Sequence, residues 1–235
     1  MSPLISAHRG SCGVAGLPAA ERYRRAVELG VDYVELDVRR TLDGLYVNYH
    51  DHVTPNGRST ARLTYAALKD ELGPELLLLD ELFDVVAGRA GLHVDLKETG
   101  YEAEIMQLII GRAGVDRFVV TTGEVESIRT IKEQFPTVRA GLTLGTDMKG
   151  AQAWVAPKER LAELFPTPRL RRSRADFVAA HAQLARLRLL RYCARRGMAC
   201  WVWTVDEEKE IARFMADRRV TTLITNRPEI ALRLR

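Results

Sequence analysis

Short apolar runs alternate with amphipathic stretches along almost the whole chain. Runs rich in aliphatic and aromatic residues predict eight strands: 4–7, 33–38, 92–96, 118–121, 139–144, 176–180, 199–204 and 221–225. Between most of them, apolar residues recur every three or four positions, which predicts helices over 19–29, 79–86, 102–110, 125–135, 184–194 and 207–215. Glycine follows several of these helices, as it does at helix C-caps: Gly30, Gly88, Gly114 and Gly197.

The repeated order of strand and helix predicts the fold class. Eight strands, each followed by a helix or a long connection, favour an α/β protein with a closed parallel (β/α)8 barrel, the TIM barrel. A doubly wound open sheet is the alternative. The sequence contains no internal repeat, low-complexity tract or interdomain linker, so we expect residues 1–235 to form a single domain.

Two segments interrupt the alternation. After the second strand, Thr41-Leu42-Asp43-Gly44 is a turn signal that leads into 45–49, a predicted hairpin arm that carries His50. Residues 52–75 are rich in Pro, Gly, Asn and Thr and are predicted to be an irregular excursion before the next helix. A second irregular stretch is predicted over 145–174, which holds Trp154 and three prolines. In a barrel, both segments would be loops on the catalytic rim.

Composition excludes several classes of protein. Hydrophobic residues make up 46% and charged residues 28% of the chain, which is ordinary for a globular domain. No apolar run is long enough to cross a bilayer, and no signal peptide is visible at the N-terminus. The three widely spaced cysteines suggest neither a disulfide framework nor a zinc site. We therefore expect a cytoplasmic protein.

The net charge is only +4, but arginines are concentrated between Arg169 and Arg196. Such a basic surface can attract anionic substrates or lipid headgroups, so peripheral contact with an anionic membrane is one interpretation. A solvated helix face is the other. No aromatic interleaving or base-reading motif indicates binding to nucleic acid, and nothing in the pattern specifies an oligomeric state.

Carboxylates lie near the ends of two of the predicted strands. Side chains alternate along a strand, so Glu35 and Asp37 point to one side, and the same holds for Asp95 and Lys97. Carboxylates crowded on one inward face repel each other unless a positive charge lies between them. Oxygen ligands suit Mg²⁺ or Ca²⁺ better than zinc, so the pattern predicts a divalent cation. Neutralisation by Lys97 is the alternative.

Histidines follow two strand-like runs. His8 and His50 stand where imidazoles could transfer protons near neutral pH. Arg9 offers a bidentate fork for a phosphate, and Lys97 offers a compact positive charge. These residue types together indicate a site that holds one divalent metal and one phosphodiester between an acid and a base.

The motifs and their order strongly resemble those of the glycerophosphodiester phosphodiesterases. The likeness spans nearly the whole chain and is carried by His8-Arg9-Gly10, Glu35-Leu36-Asp37-Val38, Thr41-Leu42-Asp43-Gly44, His50-Asp51, Asp95-Leu96-Lys97, Trp203-Thr204-Val205 and Ile224-Thr225-Asn226-Arg227-Pro228. Each motif alone is weak, but the combination is highly specific. Asp95-Leu96-Lys97 is also similar to the motif at this point in the distantly related spider-toxin-type phospholipases D.

The resemblance implies a phosphodiesterase on a (β/α)8 barrel with one divalent cation, Mg²⁺ or Ca²⁺, with Mn²⁺ as a further option. It also implies a role for each matching position: Glu35, Asp37 and Asp95 as metal ligands, His8 and His50 as the acid/base pair, Arg9 and Lys97 as phosphate-binding cations, and Trp203 as an aromatic that lines the substrate channel. The residues by themselves suggest every one of these roles except that of Trp203.

The chain departs from the family pattern at three places. Gly16-Leu17-Pro18 stand where the family usually has a Pro-Glu-Asn signature. Asp95, one methylene shorter, replaces the common glutamate, and Asn226 stands where aspartate is frequent. The first departure concerns the loop beside the first histidine, and the second concerns the metal site.

We therefore expect a metal-dependent enzyme that cleaves a small glycerophosphodiester, such as glycerophosphocholine or glycerophosphoethanolamine, to glycerol 3-phosphate and an alcohol. One histidine would deprotonate the nucleophile, either water or the glycerol hydroxyl, and the other would protonate the leaving alkoxide. The alternatives are a lysophospholipase D or phosphodiester lyase on the same barrel, and a catalytically weak protein that binds phosphodiesters.

Overall fold

The computed structural model of the protein describes residues 2–145 and 162–235. In these residues the strands, in chain order, are β1 (Leu4–Ala7), β2 (Tyr33–Arg40), β3 (Tyr46–Asn48), β4 (Leu77–Leu78), β5 (Gly91–Leu96), β6 (Phe118–Thr122), β7 (Ala140–Leu144), β8 (Phe177–His181), β9 (Ala199–Trp203) and β10 (Thr222–Thr225). All except β3 and β4 pair in parallel, and β1 pairs with both β2 and β10, which closes the ring. The predicted (β/α)8 barrel is confirmed.

A hairpin extends the barrel on its β2 side. β3 runs antiparallel to β2, with Val38 opposite Asn48 and Arg40 opposite Tyr46. This confirms the predicted hairpin arm that leads to His50. The short strand β4 adds to β3 in antiparallel fashion, and the sequence did not indicate it.

Helices cover the outside of the barrel. In the described residues they are α1 (Ala19–Glu28), α2 (Tyr65–Leu72), α3 (Leu79–Val86), α4 (Glu102–Ala113), α5 (Val125–Gln134), α6 (Thr167–Ser173), α7 (Ala182–Leu184, a π-helical turn Ala185–Leu189, then Leu190–Ala194), α8 (Glu208–Met215) and α9 (Pro228–Arg233). Their apolar faces are buried against the strands, as Ile128 and Ile131 of α5 illustrate. Gly114 ends α4 with a φ of 84°, as expected for a C-cap glycine.

Two helices lie in segments that we predicted to be irregular. The side chain of Thr64 accepts a hydrogen bond from the Ala67 N–H at 3.3 Å, which caps α2. Leu68 of α2 then packs with Val47, Leu63 and Leu76 in a small apolar cluster. In the second segment, α6 begins at Thr167 and buries Leu170. Residues 146–161, which include Trp154, lie outside the described part of the chain.

An aromatic layer fills the centre of the barrel. Trp201 is 1% exposed and stacks on Phe177, with the ring centroids 4.8 Å apart. Tyr33 and His93 contact the same indole, at 5.1 and 5.0 Å between centroids. A Cβ atom at Gly141 would lie 2.3 Å from the Phe177 ring, so glycine makes room for this layer. The side chains at the carboxyl ends of the strands therefore lie on a closely packed layer of aromatic rings.

Two further observations concern the cysteines and the helices. Cys12, Cys193 and Cys200 are free and buried. Among the described residues, no helix combines the length and the apolar character needed to cross a membrane.

Candidate active site

Three acidic side chains meet at the carboxyl ends of β2 and β5. Asp37 lies opposite Asp95 in the strand register, and Glu35 precedes Asp37 by two residues on the same face. One carboxylate oxygen from each of Glu35, Asp37 and Asp95 lies within 4.8 Å of the other two. Glu35 and Asp37 are only 4% and 2% exposed. The three predicted metal ligands are thus brought together in a buried cluster.

Two cations contact this cluster. Lys97 Nζ lies 2.8 Å from Asp37 Oδ1 and 2.5 Å from Asp95 Oδ2, and Arg9 Nε lies 2.9 Å from Asp37 Oδ2. Burial by itself would raise the pKa of Asp37, but Lys97 and Arg9 hold that pKa well below its usual range. Burial opposes the charge on Lys97, yet Asp95 and Asp37 keep its pKa above the ordinary value. Lys97 therefore neutralises part of the acidic charge.

Glu35 is the carboxylate of the cluster with which neither cation forms an ion pair. It accepts the backbone N–H of Arg9 at 2.7 Å, and no lysine or arginine of the described residues forms an ion pair with it. Burial and the nearby Asp37 raise the pKa of Glu35 well above its usual value. The cluster thus sets three carboxylates against two cations. A buried set of oxygen donors in which the carboxylates outnumber the cations fits a hard divalent cation such as Mg²⁺ or Ca²⁺.

A tight turn after β1 places His8 and Arg9 above the carboxylates. Arg9 has a φ of 50° and a ψ of 39°, a left-handed backbone conformation that residues other than glycine rarely adopt. Gly10 follows with a φ of 64°, and a Cβ atom there would lie 2.6 Å from the buried Tyr23 ring. Backbone strain of this kind is found where a functional group must be held in one position.

His8 is held by a hydrogen-bonded pair from the end of the chain. Asn226 Nδ2 donates to Asp206 Oδ2 at 2.8 Å, which turns the amide oxygen of Asn226 toward His8. His8 Nδ1–H then donates to that oxygen at 2.9 Å, so Nε2 is the ring nitrogen left for proton transfer. Burial and Arg9 lower the pKa of His8.

His50 is supported in a similar way by a charged partner. Its Nδ1–H donates to Asp51 Oδ1 at 2.7 Å, and again Nε2 is left for proton transfer. The side chain of His50 is 39% exposed, and His8 is only partly buried. Both predicted acid/base histidines therefore present the same ring nitrogen.

His93 lies below the cluster and supports it. Thr121 donates its hydroxyl to Asp95 Oδ1 at 2.5 Å, so the threonine oxygen accepts from His93 Nε2–H at 2.9 Å. Ser6 in turn donates to His93 Nδ1 at 3.1 Å. Burial lowers the pKa of His93 to about 4, so the ring is neutral at neutral pH. With both nitrogens engaged, His93 orients Thr121 and through it Asp95.

A cavity of about 340 Å³ opens above these groups. The predicted site residues on its wall are His8, Arg9, Glu35, His50, Asp95, Lys97 and Trp203, and Asp37 lies buried behind them. The Trp203 indole donates to the Ala179 carbonyl at 3.0 Å, which holds it as part of the wall.

Sequence reasoning did not find the supporting residues Asp206 and Thr121, and it gave Asn226 no role beyond its place in a motif where aspartate is frequent. Asn226 is 218 positions from the histidine that it contacts. No local pattern in the sequence could have linked them.

Comparisons with known proteins give a consistent result. The sequence model of the Glycerophosphoryl diester phosphodiesterase family matches residues 8–75 and 90–230, which is most of the chain. A glycerophosphodiester phosphodiesterase from Caldanaerobacter subterraneus subsp. tengcongensis is 24% identical over 255 residues, which cover 100% of this chain and 98% of the relative.

Solved structures share the fold across their whole length. A glycerophosphodiester phosphodiesterase from Parabacteroides distasonis is similar with a TM-score of 0.78 at 20% identity, covering 99% of this chain and 96% of that one. A phosphodiesterase from Oleispira antarctica, solved in complex with the product sn-glycerol-3-phosphate, is similar with a TM-score of 0.76 at 18% identity, with coverage of 99% and 96%.

Proposed function

The chain belongs to the glycerophosphoryl diester phosphodiesterase family, and from that membership we propose that it hydrolyses small glycerophosphodiesters to glycerol 3-phosphate and an alcohol. Glycerophosphocholine and glycerophosphoethanolamine are the proposed substrates. The observation that carries the proposal is the cluster of three carboxylates within 4.8 Å of one another, with two cations on it and two histidines on the wall of the same cavity.

We propose that Glu35, Asp37 and Asp95 hold one divalent cation. When bound, such an ion supplies positive charge beside the phosphoryl oxygens and helps to orient the phosphate. Arg9 is 40% exposed, so its guanidinium can reach a bound phosphate while Nε stays against Asp37. Lys97 adds a second positive charge from the floor of the cavity.

The two histidines are assigned to proton transfer. One Nε2 removes the proton from the nucleophile, which is water or the glycerol hydroxyl, and the other Nε2 gives a proton to the oxygen of the leaving alcohol. Attack through the glycerol hydroxyl would first form a cyclic phosphate, which water then opens. The hydrogen bonds on Nδ1 support these roles because they hold each ring in one orientation.

The Oleispira antarctica phosphodiesterase supports glycerol 3-phosphate as the product here, since that protein was solved with this compound bound. Trp203 is proposed to contact the part of the substrate that lies beyond the phosphate, because it forms the wall of the cavity.

The test combines two enzyme-coupled assays under the same conditions. One measures glycerol 3-phosphate release from glycerophosphocholine and glycerophosphoethanolamine, and the other measures choline release from lysophosphatidylcholine, whose cleavage leaves the acylated glycerol phosphate. We expect release from the two small diesters. Turnover of the lysophospholipid alone would support a lysophospholipase D instead. Binding of the diesters without release of any product would contradict an enzymatic function altogether.

A further inference from the structure

A buried arginine contacts the loop that carries His50. Arg39 lies near the end of β2, and its side chain is only 7% exposed. Its Nε and Nη2 both donate to the backbone carbonyl of His50, at 3.2 and 2.9 Å. Its Nη1 donates to Glu98 Oε1 at 2.6 Å. A buried guanidinium is costly unless it is paired, and here two partners satisfy it at once.

This contact links the backbone of His50 to the barrel. β3 ends at Asn48, and the Tyr49 N–H donates to the Asp37 carbonyl at 2.9 Å before the backbone leaves the hairpin. Among the described residues, the hydrogen bonds of His50 itself are those with Asp51 and Arg39. Because Asp51 belongs to the same loop, Arg39 is the partner that connects His50 to a barrel strand.

Glu98 connects the other side of the guanidinium to the carboxylate cluster. It directly follows Lys97, whose ammonium contacts Asp37 and Asp95. Its second carboxylate oxygen accepts the Arg40 N–H at 3.3 Å, so both of its oxygens are engaged by β2. His50, Arg39 and Glu98 thus form one hydrogen-bonded chain from the loop to the segment after β5.

We propose that Arg39, held by Glu98, is a positioning residue for His50. The inference rests on the proposed function, in which His50 transfers a proton. Proton transfer requires the imidazole to be within hydrogen-bond reach of the reacting oxygen. A displacement of about 1 Å is enough to cost about a hundredfold in rate. Arg39 fixes the backbone from which the imidazole extends, so its loss should reduce catalysis without removing any group that touches the substrate.

The first variant is Arg39→Met, which keeps most of the side-chain stem and removes all the donors. We expect kcat to fall by about 10- to 100-fold, while KM stays within about threefold, since Arg9 and Lys97 are untouched. The matched control is Arg40→Met on the neighbouring position, where the exposed guanidinium pairs with Glu104. This control should keep kcat within about twofold. Equal losses in both variants would overturn the proposal.

The decisive measurement repeats Arg39→Met in a His50→Ala background. If Arg39 acts through His50, the second change should leave the residual turnover unaltered, because residues that act as a unit are not additive. A further loss of the same size as in the wild-type background would mean a general structural role and would overturn the proposal. Thermal unfolding of each variant establishes that the protein compared is folded.

A second variant covers the case in which Arg39→Met does not fold. Glu98→Gln keeps the shape of the side chain and removes its charge, and we expect a smaller fall in kcat that also disappears in the His50→Ala background. Near wild-type turnover of His50→Ala would overturn the proposed proton transfer, and the positioning role with it. An inactive His50→Ala beside fully active Arg39→Met and Glu98→Gln would overturn the positioning role alone.

Discussion

At the scale of the residue, the Nδ1 atoms of the two histidines have different hydrogen-bond partners. His8 Nδ1 faces an amide oxygen in a partly buried position, and His50 Nδ1 faces a carboxylate in a half-exposed one. This arrangement leaves both Nε2 atoms for chemistry. The surrounding hydrogen bonds therefore determine which ring nitrogens can act.

Replacing His8 or His50 with alanine should lower kcat by about 10²- to 10⁴-fold, the range expected when general acid–base catalysis is lost. The double variant should lose little more than either single variant, because both residues serve one step. Steady-state kinetics with glycerophosphocholine, together with thermal unfolding, measures both effects. Near wild-type turnover in a folded single variant would assign that histidine a structural role.

Asp95 provides a test at the third ligand position. Asp95→Asn removes a charge from a hard-cation site and should weaken metal activation by at least tenfold, whereas Asp95→Glu should be tolerated or change the metal preference. A metal titration of activity compares both variants with wild type. If Asp95→Asn were activated like wild type, Asp95 would not be a ligand.

The residues proposed to perform the chemistry could be picked out from the sequence because each belongs to a recognisable motif in or after a predicted strand. Glu35, Asp37 and Lys97 are examples. In the structure, the two carboxylates belong to the acidic cluster and Lys97 contacts it. Their supports could not be predicted in the same way. Asp206 acts on His8 only through Asn226, and Arg39 contacts a backbone carbonyl 11 positions away, a pairing that depends on the folded hairpin.

At the scale of the element, the turn after β1 is the most constrained segment of the site. Gly10→Ala should destabilise the protein by about 2–4 kcal/mol, because alanine disfavours a positive φ and its methyl group would overlap the buried Tyr23 ring. Thermal unfolding measures this change.

The matched control for that turn is Gly30→Ala. Gly30 also has a positive φ, but an added Cβ atom would meet nothing within 4 Å. It should cost about 1–2 kcal/mol, from backbone strain alone. Equal destabilisation by the two variants would contradict the close contact between Gly10 and Tyr23.

Elements with a clear period were predictable, and elements held by tertiary contacts were not. The apolar runs of the barrel strands, and the three- to four-residue spacing of apolar residues on helices such as α5, agree with the structure closely. In contrast, α2 buries only Leu68 within its length and relies on the Thr64 cap and a small apolar cluster. The strand β4 has two residues, too few for any period to be visible.

At the scale of the whole molecule, the packed interior of the barrel and the proposed active site lie in different layers. The Trp201 layer fills the interior, and the acidic cluster lies above it at the carboxyl ends of the strands. This is the face on which barrel enzymes place their catalytic groups. Contact of an anionic membrane with the basic segment between Arg169 and Arg196 stays a prediction.

The central claim is that the three carboxylates hold a divalent cation that turnover requires. The most direct measurement is glycerol 3-phosphate release after exhaustive chelation, followed by addition of Mg²⁺, Mn²⁺ or Ca²⁺, with elemental analysis of the chelated protein. Wild type should lose its activity and regain it with metal, Glu35→Gln should not regain it, and the exposed control Glu104→Gln should behave like wild type. Full turnover by a protein in which elemental analysis finds no metal would contradict the claim.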